Sequence, residues 1–153
     1  MQRLETTVPP IVWWMVSAVL VIMIDTTVGE DLANGWGRVV AVVLLIAGAS
    51  VAFRALRGFA QAKTTVDPHD PAKASSLVTD GVYEFTRNPM YLGLLALILG
   101  WGLWRGTVLG ALIGGLFFAG VLTRLQIIPE ERLLTEKFGS EYTDFTNRTR
   151  RWL

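Results

Sequence analysis

The chain has 153 residues, of which 52% are hydrophobic and 18% are charged, and its formal net charge is +1 at pH 7. This composition excludes an intrinsically disordered tail, a highly charged nucleic-acid-binding protein and most soluble enzymes of this size. Because the chain has no cysteine and a single histidine, His69, we expect no disulfide scaffold, thiol nucleophile or multi-histidine metal centre. These exclusions favour a single domain embedded in a lipid bilayer.

Four long uncharged blocks follow one another along the chain, with 19, 15, 17 and 18 residues between the flanking charges. A membrane-spanning helix needs roughly 17 to 25 mainly apolar residues, and the short second block can be extended by Trp36 and Gly37. The sequence therefore predicts an all-α, polytopic membrane protein with four transmembrane helices. The predicted spans are residues 8–28, 36–54, 89–104 and 106–124.

Lysine and arginine residues are distributed unevenly around these spans. Twelve of the 14 lie toward one side of the predicted bundle, in the N-terminus, the segment 54–87 and the segment 124–151, whereas Arg38 and Arg105 lie toward the other side. Because positive charges are enriched on the cytoplasmic side of a membrane, both termini, the loop 55–88 and the tail 125–153 are expected in the cytoplasm. Asp25 is then expected at the opposite interface.

The third and fourth predicted spans are separated by little more than Arg105, so they are expected to form a tight antiparallel hairpin. Gly106, Gly110 and Gly114 recur every four residues along the fourth span. Such a row of small residues lets two helix backbones approach closely in lipid. We therefore interpret these glycines as packing residues without a chemical role.

The loop 55–88 and the tail 125–153 hold most of the remaining polar residues. In the loop, Gly81 suits a turn, and Asn88 suits the cap before Pro89 at the first position of the third span. His69, in a proline-containing stretch of the same loop, is interpreted as a surface residue.

The tail predicts two amphipathic helices, residues 127–139 and 141–148. A kink at Pro129 is expected to turn the first of them away from the fourth span, so that the tail lies at the membrane surface. Three arginines near the end of the tail are expected to bind anionic headgroups. They are Arg148, Arg150 and Arg151, and of these only Arg148 is expected to reach the polar site.

Several motifs in the second half of the chain occur in a fixed order. They are Gly81-Val-Tyr83, Arg87-Asn-Pro-Met-Tyr91-Leu-Gly93, Pro129-Glu-Glu131, and then Leu134, Phe138-Gly139, Tyr142 and Phe145. Together these motifs resemble the signature of the integral-membrane methyltransferases, a family that includes isoprenylcysteine carboxyl methyltransferases and phospholipid N-methyltransferases. The resemblance covers residues 77–148, nearly half of the chain.

The resemblance implies that S-adenosylmethionine binds on the cytoplasmic side, in a pocket formed by the last two spans, the preceding loop and the C-terminal helix. Arg87 and Glu131 are then the candidate catalytic residues. Where many members have histidine, this chain has Asn88, which can form hydrogen bonds but cannot titrate near neutral pH. The cofactor-binding candidates, carried over position by position, are Gly81, Tyr83, Arg87, Asn88, Pro89, Tyr91, Glu130 and Glu131.

The methyl acceptor suggested by this resemblance is an amphipathic or small apolar molecule that approaches from the bilayer and reacts through a carboxylate, amine or thiol. An amine would first have to lose a proton, for which Glu131 is the candidate acceptor. Two alternatives remain open: an NADPH-dependent membrane reductase related to the sterol reductases, and a membrane interaction protein without enzymatic activity. Neither nucleic acid nor a metal ion is an expected partner.

Overall fold

The structure is a computed structural model that describes residues 8–28, 35–62 and 76–153. Within these ranges the regular structure is entirely helical, as the sequence predicts, and a short 3-10 helix, Gly81–Glu84, precedes the third long helix. His69 and its neighbours in the loop lie outside the described residues. The six α-helices are α1 (Pro10–Val28), α2 (Gly35–Gln61), α3 (Pro89–Trp104), α4 (Val108–Leu122), α5 (Ile128–Phe138) and α6 (Ser140–Arg148).

Three helices are long and apolar enough to cross a membrane: α1, α2, and a continuous helical stretch, Val108–Phe138, that contains α4 and α5. The third predicted span, α3, has the predicted bounds but only 16 residues. At a rise of about 1.5 Å per residue it is shorter than a hydrocarbon core of about 30 Å. The described residues are thus those of a helical membrane protein and contain three candidate spans, and the fourth span remains a prediction.

Helix α2 extends beyond the predicted second span. It continues to Gln61, seven residues past the predicted end at Arg54. An arginine marks the end of an apolar stretch but does not end a helix, because it is a good helix former. The extension has a structural use, since Ala55 is completely buried against Tyr83, Tyr142 and Phe145.

Pro129 does not end the preceding helix, so the tail helix predicted from residue 127 is continuous with α4. A π-helical turn, Thr123–Ile127, links α4 to α5, and the Ile128 N–H bonds to the Thr123 carbonyl five residues earlier. Proline lacks an N–H and is tolerated in the first turn of a helix, where Pro129 lies in α5. The carboxylates that follow Pro129 therefore belong to the same continuous helical stretch as α4.

Glycines bring α2 and α3 into close contact. A Cβ atom added to Gly93 would lie 2.7 Å from the carbonyl oxygen of Gly48, and one added to Gly48 would lie 2.7 Å from the carbonyl oxygen of Gly93. These distances are shorter than any normal carbon–oxygen contact. The two backbones can therefore touch only where both residues lack a side chain.

The predicted glycine row on the fourth span is confirmed at two positions. A Cβ atom on Gly114 would lie 2.7 Å from Val21 Cγ2, and one on Gly110 would lie 3.2 Å from the Val21 carbonyl oxygen, so both glycines pack against α1. Gly106 instead lies in the turn before α4 with φ +86°. Since this left-handed conformation is outside the helical region, α4 begins at Val108, two residues after the predicted start of the fourth span.

The tight hairpin of α3 and α4 is confirmed, and one ion pair lies at its turn. Arg105, directly after α3, donates from Nε to Asp25 Oδ2 at 2.8 Å, and a second guanidinium nitrogen contacts the same oxygen. Asp25 lies near the end of α1. This pair thus marks the end of the bundle opposite to the start of α3.

The contact between α2 and α3 predicts that Gly93→Ala destabilises the protein, whereas Gly120→Ala does not. The new methyl group at position 93 would collide with backbone and cost about 1 to 3 kcal/mol, but nothing lies within 4 Å of a Cβ at Gly120. Thermal unfolding of detergent-purified variants measures both effects. Equal unfolding midpoints for the two variants would contradict the close packing.

Candidate active site

A hydrogen bond joins the first turn of α3 to the first turn of α5. The Tyr91 hydroxyl donates to Glu130 Oε1 at 2.7 Å, and Gln126 Nε2 donates to the same oxygen at 2.7 Å. Tyr91 is buried, with 4% of its surface exposed. Both of these donors are neutral, so they orient the Glu130 carboxylate without neutralising its charge.

The adjacent carboxylate has different partners. Arg151 donates from Nε to Glu131 Oε1 at 3.0 Å and from Nη2 to Oε2 at 2.7 Å. Arg87 Nη2 lies 3.4 Å from Glu131 Oε1. Consecutive residues of a helix point about 100° apart, which lets Glu130 and Glu131 contact different groups. The two carboxylates therefore have distinct electrostatic environments, one held by neutral donors and the other by two guanidinium groups.

The Arg87 guanidinium has a donor without an acceptor among the described residues. Its side chain is 14% exposed, and its Nε atom is buried without a hydrogen-bond partner in the part of the chain that the structure describes. A buried guanidinium N–H that lacks an acceptor is costly. Arg87 is thus suited to receive an additional acceptor, such as a carboxylate.

Asn88 lies at the expected position before α3 but does not cap it through its side chain. Its Nδ2 atom donates instead to the carbonyl oxygen of Arg151 at 3.0 Å, and the Thr86 hydroxyl donates to the same carbonyl at 3.2 Å. The Arg87 N–H donates to the carbonyl oxygen of Arg150 at 2.9 Å. Asn88 is therefore the N-cap residue of α3, as predicted, but its side chain bonds to residues 149–152, which we call the strap.

Three further predicted site residues have packing or turn roles in the structure. Pro89 is buried at the start of α3, as predicted. Gly81, with φ +65°, is exposed and donates its N–H to Glu84 Oε1 at 3.1 Å. Tyr83 is buried, and its ring meets Phe59 edge-on with 5.5 Å between centroids. Gly81 fulfils the predicted turn, and within the described residues it forms no hydrogen bond to Glu130 or Glu131.

Burial changes the acidity of the groups around the carboxylates. Desolvation, followed by the charge of Glu130, raises the pKa of Tyr83 above its ordinary value. Desolvation and the charge of Glu131 raise the pKa of Tyr142 to about 12. The hydrogen bond to Glu131 raises the pKa of Arg151. These groups therefore remain protonated at neutral pH and are not candidate bases.

Two residues of this site were not among the predicted ones. Gln126 lies four residues before Glu130, and this spacing places both on one helix face, so the sequence did contain a signal for it. Arg151 had no such signal, because it is 20 residues from Glu131 in the chain. The prediction that Arg148 is the tail arginine to reach the polar region is wrong, since its guanidinium lies over the Phe145 ring, 6.0 Å from the centroid.

Residues 36–141 match the family model described as phospholipid methyltransferase. The chain belongs to the phospholipid methyltransferase family. This family match includes Glu130, Glu131 and all of α3, but ends before the strap. It confirms the resemblance noted in the sequence and supports methyl transfer, not NADPH-dependent reduction, as the activity of this phospholipid methyltransferase family member.

Two curated relatives are similar to parts of this family member. An uncharacterized protein of Haemophilus influenzae is 45% identical over 64 residues, which are 42% of this chain and 100% of that protein. The Protein-S-isoprenylcysteine O-methyltransferase of Schizosaccharomyces pombe is 35% identical over 72 residues, which are 45% of this chain but only 29% of that enzyme. No solved structure matches the chain.

The hydrogen bond between α3 and α5 predicts that Tyr91→Phe lowers methyl transfer by about tenfold or more while the protein remains folded. The phenyl ring preserves packing, but the Glu130 carboxylate loses one of its two orienting donors, a charge-assisted bond of about 1.5 to 3 kcal/mol. Tyr142→Phe is the matched control, because Tyr142 is also buried but does not bond to Glu130. Equal activities of the two variants would contradict a role for the Tyr91 hydroxyl.

Proposed function

We propose that this protein transfers a methyl group from S-adenosylmethionine to an acceptor held in the membrane. The observation that carries the proposal is the convergence of the segment 87–91 with α5, through the contacts Tyr91–Glu130 and Arg87–Glu131. These contacts gather charged groups at one end of an otherwise apolar bundle. Ionisable groups in such a position are costly and point to a functional site.

The charges of this site fit those of the proposed cofactor. S-adenosylmethionine has a cationic sulfonium and ammonium, an anionic carboxylate and a flat purine. Glu130, whose two donors are neutral, is suited to hold a cation. Arg87, with a buried Nε that lacks an acceptor among the described residues, is suited to hold the carboxylate. This complementarity supports a zwitterionic ligand between the two side chains.

The chemistry asks little of the protein beyond position and exclusion of water. When bound, the cofactor supplies an electrophilic methyl group that is displaced in line, without a covalent enzyme intermediate. The side chains of the site have to orient the reactants and keep the reacting centre dry. Tyr91 and Gln126 fix the Glu130 carboxylate from the protein side, which preorganises the site before any ligand arrives.

The acceptor class follows from the surroundings of the site. Large apolar side chains are exposed along α1, α2 and α4, where they can face lipid. An amphipathic or small apolar acceptor can therefore approach from the bilayer. A carboxylate or thiolate acceptor is already nucleophilic, whereas an amine has to lose a proton to a base, for which Glu131 and Glu130 are the candidates.

We propose that the site faces the cytoplasm, with both termini on the same side. A membrane-impermeant maleimide tests this orientation in intact cells that express single-cysteine variants, because the natural chain contains no cysteine. Trp36→Cys, at a position that is 81% exposed, is expected to react, whereas Ser140→Cys is expected to react only after lysis. The reverse pattern would contradict the orientation.

Titration calorimetry of the detergent-purified protein tests the proposed function. We expect saturable binding of S-adenosylmethionine and none of NADPH; binding of NADPH alone would favour the reductase alternative.

Glu130→Gln is expected to weaken cofactor binding by about tenfold or more, because a cation loses its carboxylate partner. Glu131→Gln is expected to abolish turnover with cofactor affinity intact. If Glu131→Gln retained full turnover, the role of Glu131 as proton acceptor would be refuted.

A further inference from the structure

The strap, residues 149–152, holds the two halves of the candidate active site together. Its backbone carbonyls at Arg150 and Arg151 accept hydrogen bonds from the segment 86–88. On the other side, the Trp152 indole donates to the Thr123 hydroxyl at 3.2 Å and packs against the buried cluster that contains Tyr91. The backbone of Arg151 is thus fixed at both neighbouring positions.

This fixed backbone directs the Arg151 side chain to Glu131. The guanidinium approaches the carboxylate through two parallel bonds, 3.0 Å and 2.7 Å long, one to each oxygen. A two-bond geometry constrains the carboxylate plane, which a single contact does not. Arg87, the other cation at Glu131, contributes only one contact at 3.4 Å. The orientation of Glu131 is therefore set mainly by Arg151.

We propose that Arg151 is a positioning residue that holds the Glu131 carboxylate in the orientation needed for methyl transfer. This inference rests on the proposed function. Arg151 acts through Glu131 and need not touch the reacting atoms. Without the Arg151 guanidinium, Arg87 is the cation that remains beside Glu131. The Glu131 carboxylate is then expected to turn toward Arg87 and to form an ion pair with it. Arg87 would no longer be available to bind the carboxylate of the cofactor.

Arg151 lies outside the family match and beside a second arginine whose side chain does not reach the site. The family match covers residues 36–141 and therefore stops ten residues before Arg151. The preceding residue, Arg150, is exposed and contacts the segment 86–88 through its backbone carbonyl. Two neighbouring arginines thus differ in whether the side chain reaches the site, which provides a matched pair for mutagenesis.

Steady-state methyl transfer with the full-length protein, S-adenosylmethionine and an acceptor found by screening tests the proposal. Arg151→Gln is expected to lower kcat by about tenfold or more, the effect typical of losing a partner that orients a functional ligand, a smaller loss of turnover than that expected for Glu131→Gln. Because Glu131 then turns toward Arg87, the KM for S-adenosylmethionine is expected to rise in Arg151→Gln. Arg151→Lys is expected to recover only part of kcat, because lysine keeps the charge but not the two-bond geometry. Arg150→Gln is expected to leave kcat and KM unchanged.

The double variant Glu131→Gln/Arg151→Gln separates positioning from an independent role. If Arg151 acts through Glu131, the double variant is no slower than Glu131→Gln alone. The double variant removes both charges of the Glu131–Arg151 ion pair, so it leaves no uncompensated charge that could prevent folding. It therefore remains informative if Arg151→Gln alone fails to fold. Additive losses, or an Arg151→Gln variant with the kinetics of Arg150→Gln, would overturn the inference. If the wild-type protein neither binds S-adenosylmethionine nor transfers methyl groups, the proposed function itself fails, and this inference fails with it.

Discussion

The partly buried Glu130 carboxylate at one end of an apolar helix bundle constrains the rest of this structure. A carboxylate can be tolerated there only if hydrogen-bond donors meet it. Tyr91 and Gln126 provide them, and the bond from Tyr91 joins residues 39 positions apart in the chain. This bond requires that α3 and α5 begin side by side. The tight turn after α3 and the continuous helix from α4 into α5 satisfy that requirement.

The helical architecture was largely predictable from the sequence, because lipid imposes a simple rule on length and polarity. Uncharged blocks long enough to cross the hydrocarbon core indicated the helices, and the bounds of α3 agree with the prediction. The rule fails where a helix leaves the apolar region. Helix α2 continues seven residues past Arg54, because its polar end is stabilised by packing of Ala55 against distant residues. Hydrophobicity alone contains no information about such contacts.

The candidate site was predictable only where sequence motifs or helix periodicity connected its members. The resemblance to membrane methyltransferases identified Arg87, Tyr91, Glu130 and Glu131, which the structure brings together in pairs. The position of Gln126, one helical turn before Glu130, was available from spacing. The strap was not, because its contacts with residues 86–88 use backbone carbonyls, and backbone acceptors are the same in every sequence. The run of three arginines was accordingly interpreted as a headgroup-binding surface.

The central claim is that the cofactor lies between the segment 86–91 and the segment 126–131. The most direct measurement is ultraviolet crosslinking of radiolabelled S-adenosylmethionine to the purified protein, followed by mapping of the labelled residues by mass spectrometry. The account predicts saturable labelling in these two segments, which excess unlabelled cofactor abolishes. Labelling confined to other parts of the chain, or labelling that excess cofactor does not displace, would contradict it.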